Sequence, residues 1–245
     1  MEGPYSFTTY AARICSVDLK FWATSEIKHV HLNPVRRISV MCEERLPVSL
    51  FSSPHVPSGV FDMDDGELED LRCGTVWESV PMLIKSMGEC NLGSDTRVLE
   101  LGAGMGLAGL WAASTGAQVV LTDRHPAVLE LLGRNVVLNE ATSACVRELD
   151  WEQPPDWLRD FDIVVAADVL YYPQAPSLFF PVAAAALRTG GVLLMAHKSR
   201  GIVDVCKDVL PAAVTSGFET CTSVRLESEG TIQAFCFKRL AHVCC

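Results

Sequence analysis

The run VLELGAGMGLAG, Val98 to Gly109, decides how this chain is read. Its opening is a short apolar stretch that ends in glycines, the pattern of a buried strand entering a tight loop. Two loop patterns overlap in the rest of the run. Counted from Gly104, Gly104-Met105-Gly106-Leu107-Ala108-Gly109 matches G-x-G-x-x-G, the phosphate-binding fingerprint of dinucleotide folds. Counted from Glu100, the spacing is acid-x-Gly-x-Gly-x-Gly, a loop for a different adenosine-bearing ligand.

Working outward, Val80, Leu83, Ile84 and Met87 fall at i, i+3, i+4 and i+7, which predicts an amphipathic helix before the loop. Gly106 to Ser114 reads as a helix stopped at Gly116, and Val119 to Thr122 as the next strand. A helix carrying Val128, Leu131, Leu132 and Val136 on one face comes after it, then strands at Val146 to Leu149 and Phe161 to Ala167. Leu178 to Leu187 reads as a helix, Val192 to Ala196 as a strand and Val203 to Val214 as a helix. Two strands, Glu219 to Leu226 and Thr231 to Lys238, close the chain around a Ser-Glu-Gly turn. Strands alternating with helices predict an α/β fold: a doubly wound, mostly parallel, seven-stranded sheet. The last pair is joined too tightly for a crossover, so the last strand must run antiparallel. Residues 1–73 form an N-terminal extension, irregular and β-prone around Arg37 to Met41; residues 74–245 form the α/β domain.

The chain has 245 residues, 49 % of them hydrophobic, enough for one sizeable core. A formal charge of −10 argues against nucleic acid as the main partner and suits a basic one. The N-terminus shows no basic and apolar leader pattern, and no apolar run has the length of a bilayer span. A cytoplasmic protein, also able to enter the nucleus, is expected, and a monomer. The ten cysteines include no C-x-x-C pair or Cys/His cluster at ligand spacing, so no metal site is expected and buried thiols are the simplest account. The terminal Cys244-Cys245 is read as an ordinary tail. His29 and His31 alternate on a possible strand and are read as solvent-facing, and His197 as a satisfied structural histidine.

In a doubly wound sheet the ligand lies beyond the carboxyl ends of the strands, beside the glycine loop. Asp123 ends the second strand, where either ligand needs an acid for ribose hydroxyls. Glu100 separates the two readings. A carboxylate just before the loop would repel a pyrophosphate but attract a cation. S-adenosylmethionine carries an ammonium and a sulfonium, and Gly102 and Gly104 let the backbone approach its amino-acid end. The expected cofactor is S-adenosylmethionine.

Several features then coincide: Gly74-x-x-Trp77, Glu100-Leu-Gly-Ala-Gly, Thr122-Asp123, Asn135-x-x-x-Asn139, Leu149-Asp150-Trp151 and Ala167-Asp168-Val169-Leu170-Tyr171. Over residues 74–200 the chain resembles the seven-β-strand methyltransferases, and among them the protein-lysine N-methyltransferases that modify non-histone proteins. Spacing from Asp123 to Asn139 is most similar to the elongation-factor-2 branch, while Val146 to Trp151 resembles another. Glu152 stands where many relatives have glycine. The resemblance implies a Rossmann-like methyltransferase fold and a protein substrate such as a translation factor or chaperone. It also implies that Trp77 packs near the cofactor, and that Gly102, Ala103 and Gly104 line its methionine end. Asp123 would hold the ribose, Trp151 flank the adenine and Ala167 offer backbone contacts beside it.

Asp168 and Tyr171 are the candidate catalytic residues. A carboxylate at the end of the fourth strand can dock and orient an incoming amine, and Tyr171 can offer its ring face and hydroxyl. The competing account of Asp168 is a helix N-cap. Other acceptors (arginine, histidine or a small molecule) share the same cofactor pocket. A non-catalytic cofactor-binding interaction protein is the remaining alternative.

Overall fold

The computed structural model describes residues 9–14, 17–22, 36–40, 77–220, 228–229 and 232–241. Near the N-terminus, β1 (Thr9–Ile14), β2 (Val17–Trp22) and β3 (Arg36–Val40) form a three-stranded sheet. β1 pairs antiparallel with β2, and β2 parallel with β3. Only β3 had a counterpart in the sequence pattern. His29, His31, Gly74 and Cys244-Cys245 lie outside the described residues.

The main sheet is built on α1 (Val80–Met87), β4 (Arg97–Leu101), α2 (Leu107–Ser114), β5 (Gln118–Asp123), α3 (Pro126–Leu138), β6 (Ala144–Glu148) and β7 (Phe161–Ala167). It continues through α4 (Ala175–Ala186), β8 (Leu187–Lys198), α5 (Leu210–Thr215), β9 (Phe218–Thr220), β10 (Ser228–Glu229) and β11 (Ile232–Arg239). The order is β10-β11-β8-β7-β4-β5-β6, and β9 also pairs with β11. β8 occupies one edge of β11 from Ile232 to Lys238, so β9 and β10 share the other edge. Eight strands thus fill seven positions. β6, β5, β4, β7 and β8 run parallel to one another, and β11 is reversed against β8 as predicted.

Both faces of the sheet are buried, which explains the near-continuous apolar strands. On β7, Ile163 and Val165 join α1, α2 and α3 in one core, while Val164 and Ala166 join α4 in the other. The second core is rich in phenylalanine: Phe180 meets Phe179, Phe237 and Phe218 at centroid distances of 5.2, 5.7 and 6.1 Å. The chain runs from β4 outward to β5 and β6, then returns to the other side of β4 as β7. That reversal opens a crevice above the carboxyl ends of β4 and β7.

Four elements depart from the sequence pattern. α4 begins at Ala175, because Pro176 sits in its first turn, where a missing N–H costs nothing. It passes directly into β8, which starts at Leu187 and carries Gly190 and Gly191 within it. The helix expected over 203–214 is instead a π-turn, Val205–Val209, leading into the six-residue α5. Asp204 caps that turn by accepting from the N–H groups of Cys206 and Lys207, both at 2.9 Å. Ser228 and Glu229, expected in a turn, pair with Gln233 and Ile232; the strand predicted over 219–226 is described only as far as Thr220.

Candidate active site

One pocket occupies the crevice, and all ten residues singled out from the sequence line it: Trp77, Glu100, Gly102, Ala103, Gly104, Asp123, Trp151, Ala167, Asp168 and Tyr171. They arrive from six segments: the turn before α1, the ends of β4, β5 and β7, and the loops after β6 and β7.

The glycine loop has left-handed backbone at Gly102 (φ +63°) and Gly104 (φ +53°). At Gly102 a Cβ would also lie 2.8 Å from Val169 Cγ1, so the loop can pass beneath Val169 only as glycine. Strand alternation puts Glu100 on the same face as Val98, toward α2. Its Oε2 accepts a hydrogen bond from Gly109 N at 2.8 Å, and a Cβ on Gly109 would stand 2.6 Å from that oxygen and 2.2 Å from Leu121 Cδ2. The final glycine of the fingerprint therefore serves the acid and helix–strand contact. Burial pushes the Glu100 carboxyl up to about 8; the Gly109 N–H opposes this and the Asp123 charge adds to it.

Asp123 ties the cradle together. Its Oδ2 accepts from Gly104 N at 3.1 Å, and its Oδ1 from Arg124 N at 2.8 Å and His125 N at 3.3 Å. Buried Asn135 donates from Nδ2 to Met105 O at 3.0 Å, fixing the far side of the loop to α3. Trp151 meets Phe179 edge-on at 5.4 Å, which anchors one wall of the pocket in the second core.

Asp168 occupies the opposite wall in an unusual state. Its φ is +55°, a conformation that non-glycine residues other than Asn and Asp rarely adopt. No helix begins there, and the N-cap position of α4 is Gln174, so the capping account fails. The side chain is 1 % exposed. Oδ1 accepts from Lys198 N at 2.7 Å and Arg200 Nη1 at 3.1 Å, and Oδ2 from Arg200 Nη2 at 3.3 Å. The same guanidinium lies 5.0 Å from the Trp77 ring centroid. Beside it, Lys198 Nζ pairs with Glu78. Tyr171 is half-buried and packs edge-on against Tyr172 at 5.2 Å.

His197 departs from expectation. It is buried, yet among the described residues neither ring nitrogen has a hydrogen-bond partner, and Nδ1 stands 3.9 Å from Asp168 Oδ1. Burial holds its pKa below the usual histidine range; Asp168 acts to raise it and Arg200 to lower it. A satisfied structural histidine it is not. Sequence reasoning also missed Val169, Arg124, His125 and above all Arg200. The usable signal for Arg200 was topological: β7 and β8 pair in parallel, Ala167 opposite Ala196, so charges just after β8 fall beside Asp168.

The fold is that of a Rossmann-like methyltransferase. It superposes on a ribosomal protein L11 methylase from Lactobacillus delbrueckii subsp. bulgaricus with a TM-score of 0.60, covering 95 % of this chain and 98 % of that one at 12 % identity. A family model described as lysine methyltransferase matches residues 65–207, and the chain belongs to that family. Among curated relatives, the protein N-lysine methyltransferase METTL21A of Danio rerio is 39 % identical over 107 residues, 40 % of this chain and 48 % of the relative. The histone-arginine methyltransferase METTL23 of Xenopus laevis is 41 % identical over 86 residues, 33 % and 37 % of the two chains. The chain thus spans less than half the length of these relatives.

The cofactor of such a site is S-adenosylmethionine, and the pocket fits it. A glycine turn with left-handed backbone at Gly102 and Gly104 meets a buried acid able, once ionised, to face a cation, and a second acid ends β5. Of the two acids only Glu100 discriminates: once ionised, it favours a cation over the pyrophosphate of a dinucleotide.

Proposed function

We propose that this protein transfers methyl groups from S-adenosylmethionine to a lysine side chain of a non-histone protein, a translation factor or chaperone being the expected kind of substrate. The observation that carries this reading is that a Gly102 cradle and a buried, charge-compensated Asp168 share one pocket. When bound, the cofactor supplies a methyl group on a positively charged sulfur, which keeps the S–C electron pair as the amine nitrogen bonds to carbon.

In this reading Gly102, Ala103 and Gly104 hold the methionine end, with Glu100 facing its ammonium charge. Asp123 binds the ribose hydroxyls, Trp151 flanks the adenine, Ala167 adds backbone contacts and Trp77 closes the near side. Asp168 and Tyr171 receive the acceptor. Asp168 already accepts three hydrogen bonds, two on Oδ1 and one on Oδ2. A carboxylate has about four lone-pair sites, so Oδ2 keeps one for an amine N–H. Tyr171 supplies an aromatic wall for the alkyl-ammonium stem. Alignment and exclusion of water are the remaining requirements.

Arginine is the second reading, favoured by the METTL23 similarity. An arginine acceptor is best held by a bidentate carboxylate fork. Arg200 already fills the fork of Asp168, which leaves room for one amine hydrogen rather than two guanidinium hydrogens. Lysine is therefore preferred.

The proposal extends to organisation and setting. Residues 74–245 act as a monomeric catalytic domain, and residues 1–73 as an extension that contributes to substrate choice. The compartment is cytoplasmic, with access to the nucleus. Cys145 and Cys206 carry exposed free thiols, in keeping with a reducing environment. Incubation with tritiated S-adenosylmethionine and a cell lysate tests the activity. Hydrolysis of the labelled protein should yield methyl-lysine; methyl-arginine as the sole product would overturn the lysine assignment.

A further inference from the structure

A carboxylate beside an acceptor amine presents a problem. Lysine reacts through its neutral form, yet its ordinary pKa is about 10.4, and a nearby negative charge holds the proton more firmly still. An acid that docks the amine therefore also opposes its deprotonation, more strongly where water is excluded. Asp168, at 1 % exposure, is such an acid.

The structure supplies the counterweight. Arg200 donates from Nη1 and Nη2 to the two oxygens of Asp168, and its guanidinium, partly shielded from water, rests against Trp77. We propose that Arg200 is a positioning residue for methyl transfer: it cancels the charge of Asp168, so that the acid can orient the acceptor amine without retaining its proton. The proton leaves to water, and the freed nitrogen lone pair forms the new bond to carbon. The inference rests on the lysine reading above.

The other charges around Asp168 do not replace Arg200. From β8, Lys198 gives Asp168 its main-chain N–H, but its ammonium is spent on Glu78, in the turn before α1. His197 lies 3.9 Å away, buried and with a lowered pKa, so it contributes no charge at neutral pH. Tyr171 stands on the loop after β7. Across the pocket are Glu100 of β4, Asp123 of β5 and Asp150 and Glu152 after β6, opposed by Arg124 and His125. Among the described residues the balance is acidic, and Arg200 is the cation in contact with the Asp168 carboxylate.

His197 is a built-in reporter, since Asp168 and Arg200 act on it in opposite directions. The test is a proton NMR titration of the His197 ring in the full chain, in wild type, Arg200→Gln and Arg200→Lys. Loss of the cation in Arg200→Gln should raise the His197 midpoint by about one pH unit, whereas Arg200→Lys, which keeps the charge, should leave it near the wild-type value. In parallel, initial rates of tritium transfer into the lysate proteins are followed from pH 6.5 to 10. The acid limb of the Arg200→Gln profile should move upward by about one unit, so that the variant is roughly tenfold slower at neutral pH and recovers in alkali. A purely structural role would lower the rate equally at all pH values. Should Arg200→Gln not fold, Arg200→Lys and wild type still decide, because a wild-type His197 titrating above its ordinary 6.5 means that Asp168 is uncompensated. An unmoved His197 midpoint in Arg200→Gln overturns the proposal whether or not transfer is seen. Absence of transfer by the wild type at every pH sinks the lysine reading instead, and the His197 titration then judges the charge compensation alone.

Discussion

Between β4 and β6 the acids of the pocket are satisfied by nearby main-chain N–H groups: Glu100 by Gly109, nine residues on, and Asp123 by Gly104, nineteen residues back. On the other wall Asp168 is held from thirty and thirty-two residues away, by Lys198 N and the Arg200 guanidinium. The cofactor half is thus a local loop that holds its own shape. The proposed acceptor half is a long-range charge contact at a strained backbone position, next to a buried histidine whose ring nitrogens lack a hydrogen bond among the described residues. The contrast separates two tasks. On the proposed function, a constant ligand is met by a compact motif, while an acceptor wall that must balance a charge draws on a second strand.

The sharpest way to break this comparison is Asp168→Ala. It takes the carboxylate from Arg200, which keeps only Lys198 O and the Trp77 ring, and leaves the Lys198 N–H without its acceptor, so thermal or urea unfolding should show a loss of about 3 kcal/mol. Methyl transfer should fall by two orders of magnitude or more, while calorimetric affinity for S-adenosylmethionine stays within about threefold. A comparable loss of cofactor affinity would show that the two walls are not separable. Next comes Asp123→Ala, which removes one tie on the glycine loop and, on the proposed function, the acid that holds the ribose. Cofactor binding should weaken by about 1.5–3 kcal/mol, with turnover at saturating cofactor much less affected.

The smallest effect, and the most diagnostic, is the pH dependence set by Glu100. In the folded, ligand-free protein this carboxyl holds its proton up to about pH 8, whereas its ordinary value is 4.5. The folded pKa is raised, so the group's contribution to stability is full below pH 4.5 and declines as pH rises to about 8. Its ionised form is the one that favours a cation. Affinity for S-adenosylmethionine should therefore increase several-fold between pH 6.5 and 8, and Glu100→Gln should flatten both trends. Calorimetry in buffers of differing ionisation enthalpy checks it directly, since wild type should release a proton on binding near pH 7.

Legibility obeyed the same division. The cradle could be read from residues 98–109 because tight turns, a buried acid and a helix start all leave local marks. The parallel sheet was legible from strand–helix alternation, and the reversed β11 from the shortness of its connection. Proline hides the start of α4: Pro176 reads as a break in the apolar run, although a first-turn proline starts a helix readily. The start of β8 was lost because Gly190 and Gly191 mask a strand that continues through them. Arg200 left no local mark. Its significance depends on β7 lying beside β8, a tertiary fact that no window of sequence contains.

The left-handed backbone at Asp168 has a consequence for how such a chain can change over generations. Most substitutions there are penalised twice, by conformation and by loss of the charge pair. Asn and Gly tolerate that backbone best, and each is a single nucleotide change from an Asp codon. On the proposed function, the easiest mutational exits from this position thus lead to chains that keep the backbone and the glycine cradle but transfer methyl groups poorly. On that function, a lineage built on this site has a short path from enzyme to silent cofactor-binding cousin, and the path runs through one residue.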